Sequence, residues 1–334
     1  MKTLKESILS DMDDVLKSGD KTIKDSIKKW LKENLDKGIS KCKISRKANN
    51  KGLFEVSASG DIEISHKAQS LTNEYFEWSN IDGSFFCTYN NYITTLKGAP
   101  KYVSQTFSIK GCKNLETLEG APETVEEGSF ICSYCNSLKS LVGGPKNVGI
   151  YFDCSYCHSL ETLEGAPEKC GYNAIKYNKL FDCEGCNNLK SLKGCTKNVG
   201  IFNCSKCDSL SSLEGGPEKV YKYIIINCTS LKNLSGIAKE IYDFDCRYNL
   251  GLESLKGMPE LIYNNCYITQ CPKLKNLEGC SKTVGNLFSC SDCKNLQSLE
   301  GAPNAIGGDF VCRNNTFSEE DIKATTKVHG KIYI

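Results

Sequence analysis

The chain predicts an α+β solenoid: about eleven coils of about 22 residues with a parallel β-sheet along one face, a helical segment before them and a cap at each end. Three observations predict it. The stretch Phe130 to Pro145 recurs as Phe152 to Pro167 with Phe, two Cys, two Leu, Gly and Pro at the same offsets. Anchored on the second Leu, the copies fall at Leu96, Leu118, Leu141, Leu163, Leu192, Leu213, Leu234, Leu255, Leu277 and Leu299, spaced 22, 23, 22, 29, 21, 21, 21, 22 and 22 residues apart. Two residues after every anchor stands a Gly, usually followed two residues later by Pro.

The columns before the anchor give the chemistry of a coil. Nine residues back, Cys exchanges only with Ile; six back, Cys exchanges only with Asn (Asn90 and Asn249 among ten anchored copies). A Cys that swaps with Ile is a small buried hydrophobe. A Cys that swaps with Asn sits where an inward polar group must bond to backbone left unpaired by a bend. A short strand followed by a turn held by such a ladder is the pattern of a leucine-rich repeat, whose period of roughly 20–29 residues contains this one.

The segments "SLKSLVGGP", "SLETLEGAP" and "NLQSLEGAP" resemble the cysteine-bearing "LTSLEGAP" leucine-rich repeats of tailed-phage and bacterial proteins, over about residues 53–315. The resemblance implies the fold, and it implies a phage particle or scaffold as one setting for the protein. Fold by itself does not carry function.

Taken in order, residues 1–37 predict helix. Leu4, Ile8, Met12 and Val15 share a face; Ser18-Gly19-Asp20 interrupts, Asp20 caps a second helix, and Ile23, Ile27, Trp30, Leu31 and Leu35 keep helical spacing. Lys21, Lys24, Lys28, Lys29 and Lys32 cover much of the rest, which suits either a solvated face or a docking or nucleic-acid arm. Residues 38–52 read as a linker. Residues 53–80 form an N-terminal cap with a hairpin, its strands Leu53–Ala58 and Asp61–Ser65 turning at Ser59-Gly60. The repeats run from 81 to 315, with one large insertion at about 171–179. Residues 316–334 form the C-terminal cap: a capping box at Ser318–Asp321, a helix over 319–327 and a last strand over 331–334.

Charge is nearly balanced, at +2, which argues against a polyanion as the partner of the whole chain; the basic excess is local, with 13 Lys and Arg against 8 Asp and Glu in residues 1–50. No stretch approaches the ~20 apolar residues of a membrane span, and the N-terminus lacks the apolar run of a signal peptide. Sixteen of 21 Cys belong to the ladder columns or to the partial eleventh coil. So many buried thiols suit a reducing compartment, and the chain is expected to be cytoplasmic, in a host cell or a particle assembled there.

Cys132-x-x-Cys135 followed by Cys154-x-x-Cys157 meets a zinc-ribbon spacing. Ile and Asn replace these Cys in other coils without breaking the period, which argues against metal and against redox catalysis. No catalytic triad, Walker motif or dinucleotide motif stands out, so no catalytic residue, metal or cofactor is assigned. Expected contact residues lie on the outward columns of the sheet and on the rim position seven before the anchor: Tyr134, Tyr151, Asp153, Tyr156, Asp182 and Glu184 in one group, Asp243, Asp245, Arg247 and Tyr248 in another. Tyrosines beside acids suit a protein partner. The expected function is therefore a non-enzymatic interaction module tethered by its N-terminal helices, with a particle component and a nucleic-acid binder as alternatives.

Overall fold

The computed structural model describes residues 4–46, 53–171, 180–225 and 227–334, with side chains from residue 19 onward. The expected insertion lies outside the described residues except for Gly171, as does the outward-column residue Ile226. The described residues wind into a solenoid of about twelve turns with two α-helices.

The first helix, α1, runs unbroken over Leu4–Asn34. Two helices were expected. Gly19 costs a helix interior only about 1 kcal/mol, and beyond its own helix turn nothing described lies within 4 Å of the space its missing side chain would fill. Asp20 caps nothing; its carboxylate pairs with the Arg46 guanidinium at 2.5 Å. The helix buries Ile27 and Leu31, with Ile23 and Trp30 partly covered. Trp30 meets Phe76 edge-on at 5.2 Å. Leu35, spaced like a helical residue, instead opens the strand Leu35–Lys37, which pairs antiparallel with Ile62–Ile64.

The expected linker is structured as far as Arg46. Gly38 turns the chain with φ 98°, and Cys42–Arg46 is a strand antiparallel to Phe54–Ala58. The expected hairpin is corrected too. Phe54–Ala58 and Ile62–Ile64 are both strands, but they pair in different sheets: the first with Phe76–Ile81, the second with Phe85–Phe86. Alternation of apolar residues is met on each side, because each strand lines a different wall of one core. Ser59-Gly60 is thus a corner between two sheets.

That corner recurs in the coils. The Phe column forms one parallel sheet in register, as in Phe107, Phe130 and Phe152. The Val/Ile column seven after the anchor forms a second parallel sheet, in Tyr102–Val103, Thr124–Val125, Asn147–Val148 and Lys169–Cys170. Only the first sheet was expected. Over Asn198–Asn203, Lys219–Ile224 and Glu240–Asp245 the two columns join in six-residue strands. The core between the walls is filled by the two Leu columns and by Phe rings stacked at 5.1–5.6 Å from Phe85 to Phe181.

The ladder is complete. From Asn90 to Asn315, each of the eleven residues in the Cys/Asn column donates to a main-chain carbonyl of the preceding turn. Cys112 reaches Cys87 O at 2.9 Å, Cys157 reaches Cys132 O at 3.1 Å, and Asn249 reaches Ile225 O at 2.6 Å. The others follow the same course. The Gly after each anchor has positive φ in all ten coils. At Gly165 a Cβ would sit 2.3 Å from the Leu141 carbonyl, so main chain of adjacent coils touches there.

At the C-terminus Ser318 and Asp321 form the expected capping box of α2 (Glu319–Thr325). The helix stops two residues short of expectation because Lys327–Val328 joins the Val/Ile column beside Ala305–Ile306. Ile332–Tyr333 then closes the Phe column. No helix among the described residues is long and apolar enough to cross a membrane.

Candidate functional site

The residue seven before each anchor, one before the Cys/Asn ladder, adopts the left-handed conformation in every coil. Here stand Tyr89, Gly111, Tyr134, Tyr156, Gly185, Lys206, Asn227, Tyr248, Gln270, Asp292 and Asn314, with φ between 53° and 74°. Gly and Asn suit that geometry; Tyr is strained in it. The tyrosines gain from packing along the stack. Tyr134 and Tyr156 lie parallel at 5.0 Å, and the Tyr156 ring then covers Gly185, where a Cβ would meet it at 2.6 Å. Tyr89 covers Gly111 in the same way, at 2.5 Å.

Polar groups hold this stack. Tyr156 donates its hydroxyl to Glu184 Oε1 at 2.6 Å, Lys206 Nζ reaches the same oxygen at 2.7 Å, and Asn203 Nδ2 donates to Oε2 at 3.1 Å. Burial works against the Glu184 carboxylate, yet these three partners hold its pKa below the ordinary range. Lys206 also lies over the Tyr156 ring and Lys110 over the Tyr134 ring, at 5.8 and 5.6 Å. His158 meets Tyr156 edge-on. Tyr134 keeps 41% of its surface exposed.

Beside the stack runs a line of acids. Asp153 and Asp182 are register partners on neighbouring strands, as are Tyr151 and Leu180. Asp153 is covered, accepting from Ser155 N at 2.9 Å and Ser155 Oγ at 2.6 Å. Burial raises the Asp182 pKa to about 7; the Glu184 backbone N–H opposes the rise, and Asp153 and Glu184 add to it. Burial and the same two aspartates push the half-buried Tyr151 phenol well above its ordinary value.

The second expected group is separate, three strands along the sheet from Asp182 through Asn203 and Ile224 to Asp245. Asp245 is 3% exposed, and Arg247 clamps it with two bonds of 2.8 Å while lying over the Tyr267 ring. Asp243 accepts from Asn264 Nδ2 and Asn265 N. Tyr248 is exposed and belongs to the left-handed column.

The structure therefore joins Tyr134, Tyr151, Asp153, Tyr156, Asp182 and Glu184 into one surface and sets Asp243, Asp245, Arg247 and Tyr248 in another. Asp153 and Asp245, expected at the surface, are covered and act inside the sheet face. Sequence reading missed Lys206, Asn203 and Lys110. Lys206 stands in the column of Tyr134 and Tyr156, so the column was the available signal. It also missed Tyr221, Tyr242 and Tyr263, which stack at 4.5 and 6.4 Å beside a cavity of about 530 Å³ floored by Val199 and Val220. Their signal was a Tyr eight after three successive anchors.

Among the described residues, no three His, Cys, Asp or Glu side chains converge as a metal site. Comparison with family models, with curated protein sequences and with solved structures finds no match.

Proposed function

We propose that the protein is a non-enzymatic interaction module that offers the Tyr134–Tyr156 surface to a protein partner. The observation that supports this reading best is the parallel tyrosine pair, with Tyr156 held by Glu184 and Lys206. Exposed aromatic rings already held in one geometry lose little conformational freedom on contact, and that saving favours affinity. The thiols committed to ladder bonds suit a reducing, cytoplasmic setting.

The test begins with affinity capture from the native cell and identification by mass spectrometry. Binding of the purified partner to the wild type and to Tyr134→Ala/Tyr156→Ala is then compared by calorimetry. A loss of affinity of about tenfold or more, with the thermal midpoint kept within a few degrees, supports the reading. Unchanged affinity removes it.

A second reading, docking of the helix to a larger particle or scaffold, rests on α1. Its 31 residues span about 46 Å, and Ile23, Ile27, Trp30 and Leu31 anchor its C-terminal part to the core. Recovery of the protein in purified particles, lost on deletion of residues 4–18, supports docking; an entirely unassembled pool opposes it. Affinity for nucleic acid through the same basic segment would instead fall steeply with salt.

A further inference from the structure

Cys290 and Cys312 break the pattern of their column. In three successive earlier coils the thiol nine before the anchor donates to main chain of the next coil: Cys154 to Asp182 O at 3.3 Å, Cys183 to Asn203 O at 3.3 Å, Cys204 to Ile224 O at 3.7 Å. Cys290 Sγ instead donates to Cys312 Sγ at 3.5 Å. The last ladder position holds Asn315, whose amide donates to the Cys312 sulfur at 3.3 Å. The Cys312 sulfur thus accepts two hydrogen bonds, an arrangement that stabilises a thiolate.

Backbone geometry permits a bond. Phe288 and Ser289 are register partners of Phe310 and Val311, so the two cysteines follow in step on adjacent parallel strands. Such strands lie about 4.8 Å apart, inside the ~4.4–6.8 Å window of Cα separations found in disulfides. The sulfurs need to approach by about 1.5 Å to reach bonding distance. Both cysteines are buried, and only α2 and two strands of two residues follow them in the stack, with Cys312 N bonded to Tyr333 O. Ends of a stack open locally at lower free energy than its middle.

The geometry points to Cys290 and Cys312 as an oxidisable dithiol that closes to a disulfide with a hydroperoxide as oxidant. The Cys312 thiolate attacks one peroxide oxygen, the O–O bond breaks, and the Cys312 sulfenic acid forms as the other oxygen leaves as hydroxide, which takes up the proton that the Cys312 thiol had released and becomes water. The Cys290 sulfur then attacks the sulfenic sulfur, its proton goes to the departing hydroxyl, and a second water leaves. Two thiols and one hydrogen peroxide become one disulfide and two waters. The product ties the last repeat covalently to the one before it. In the dithiol state, hydrogen bonding from Cys290 lowers the Cys312 pKa against the effect of burial, with help from Asn315; the Cys290 pKa is raised.

The full-length protein is titrated with hydrogen peroxide, quenched, alkylated with N-ethylmaleimide, digested and read by mass spectrometry. The first cross-linked peptide is expected to join Cys290 to Cys312, with the loss of two hydrogens. In Cys290→Ser that peptide is expected to vanish, with Cys312 trapped by dimedone as the sulfenic acid; Cys290→Ala serves as a second variant should the serine disturb the core. A first cross-link between any other pair overturns the proposal. So does a Cys290–Cys312 pair still reduced when the half-exposed Cys42 and Cys280 have been oxidised.

Discussion

Asp182 carries the most consequential single charge on the sheet face. Its folded pKa of about 7, raised chiefly by burial, lies above the ordinary value of 3.8. The folded state therefore keeps a proton that the unfolded chain releases, and stability falls as pH rises from about 4 to about 7. Asp182→Asn is expected to remove that slope: the variant should be more stable than the wild type at pH 8, with the gap closing toward pH 4. Urea midpoints across that range measure it, and a gap that widens on acidification contradicts the assignment. At this scale the sequence was legible where exchange exposed a role, as Cys for Asn did at the ladder. It was opaque at Tyr134 and Tyr156, because Tyr does not advertise a left-handed turn. Asp153 and Asp245 were misplaced because alternation along a strand tells which way a side chain points, and says nothing of whether Ser155 or Arg247 will cover it.

Each turn is tied to its predecessor by a ladder bond, beside the sheet pairing and the close main-chain approach at the Gly after the anchor. Two variants of one cysteine separate bonding from packing. Cys157→Asn restores a donor toward Cys132 O, as Asn90, Asn249 and Asn315 supply in their own turns, and is expected to cost under about 1 kcal/mol. Cys157→Ala leaves the carbonyl without that donor and opens a small void; about 1–3 kcal/mol is expected. Chemical denaturation of both reads the difference, and equal losses would make the thiol mere filling. The strands of the first sheet, the anchors and the C-terminal cap were legible from periodicity and from the capping box. The second sheet was not, because its strands are mostly two residues long and their Val/Ile column reads equally well as a buried loop. The hairpin failed for a related reason: alternation fixes which residues are buried, and it does not choose the partner strand.

A stack whose turns touch only their neighbours distributes its stability along one axis. Removing the Trp30 ring from Phe76 is accordingly expected to loosen the near end alone. Hydrogen exchange in Trp30→Ala should accelerate over residues 54–81 and stay unchanged over 240–310; a uniform increase would show cooperativity along the entire length. The surface around Tyr134 and Tyr156 lies several turns from either cap, where local opening costs most, and this favours a fixed contact geometry there. Overall architecture was the most legible level because ten copies of one pattern average out local ambiguity. The beginning of the chain, which has no second copy, gave the two largest errors, at Gly19 and at 42–46.

The eleven ladder bonds all run backward, from a side chain to an earlier carbonyl. During synthesis, a newly emerged thiol or amide therefore finds its acceptor already outside the ribosome. The foundation laid by α1 and the strands up to Ile81 is in place before any repeat needs it, and each later turn can settle in the order of translation.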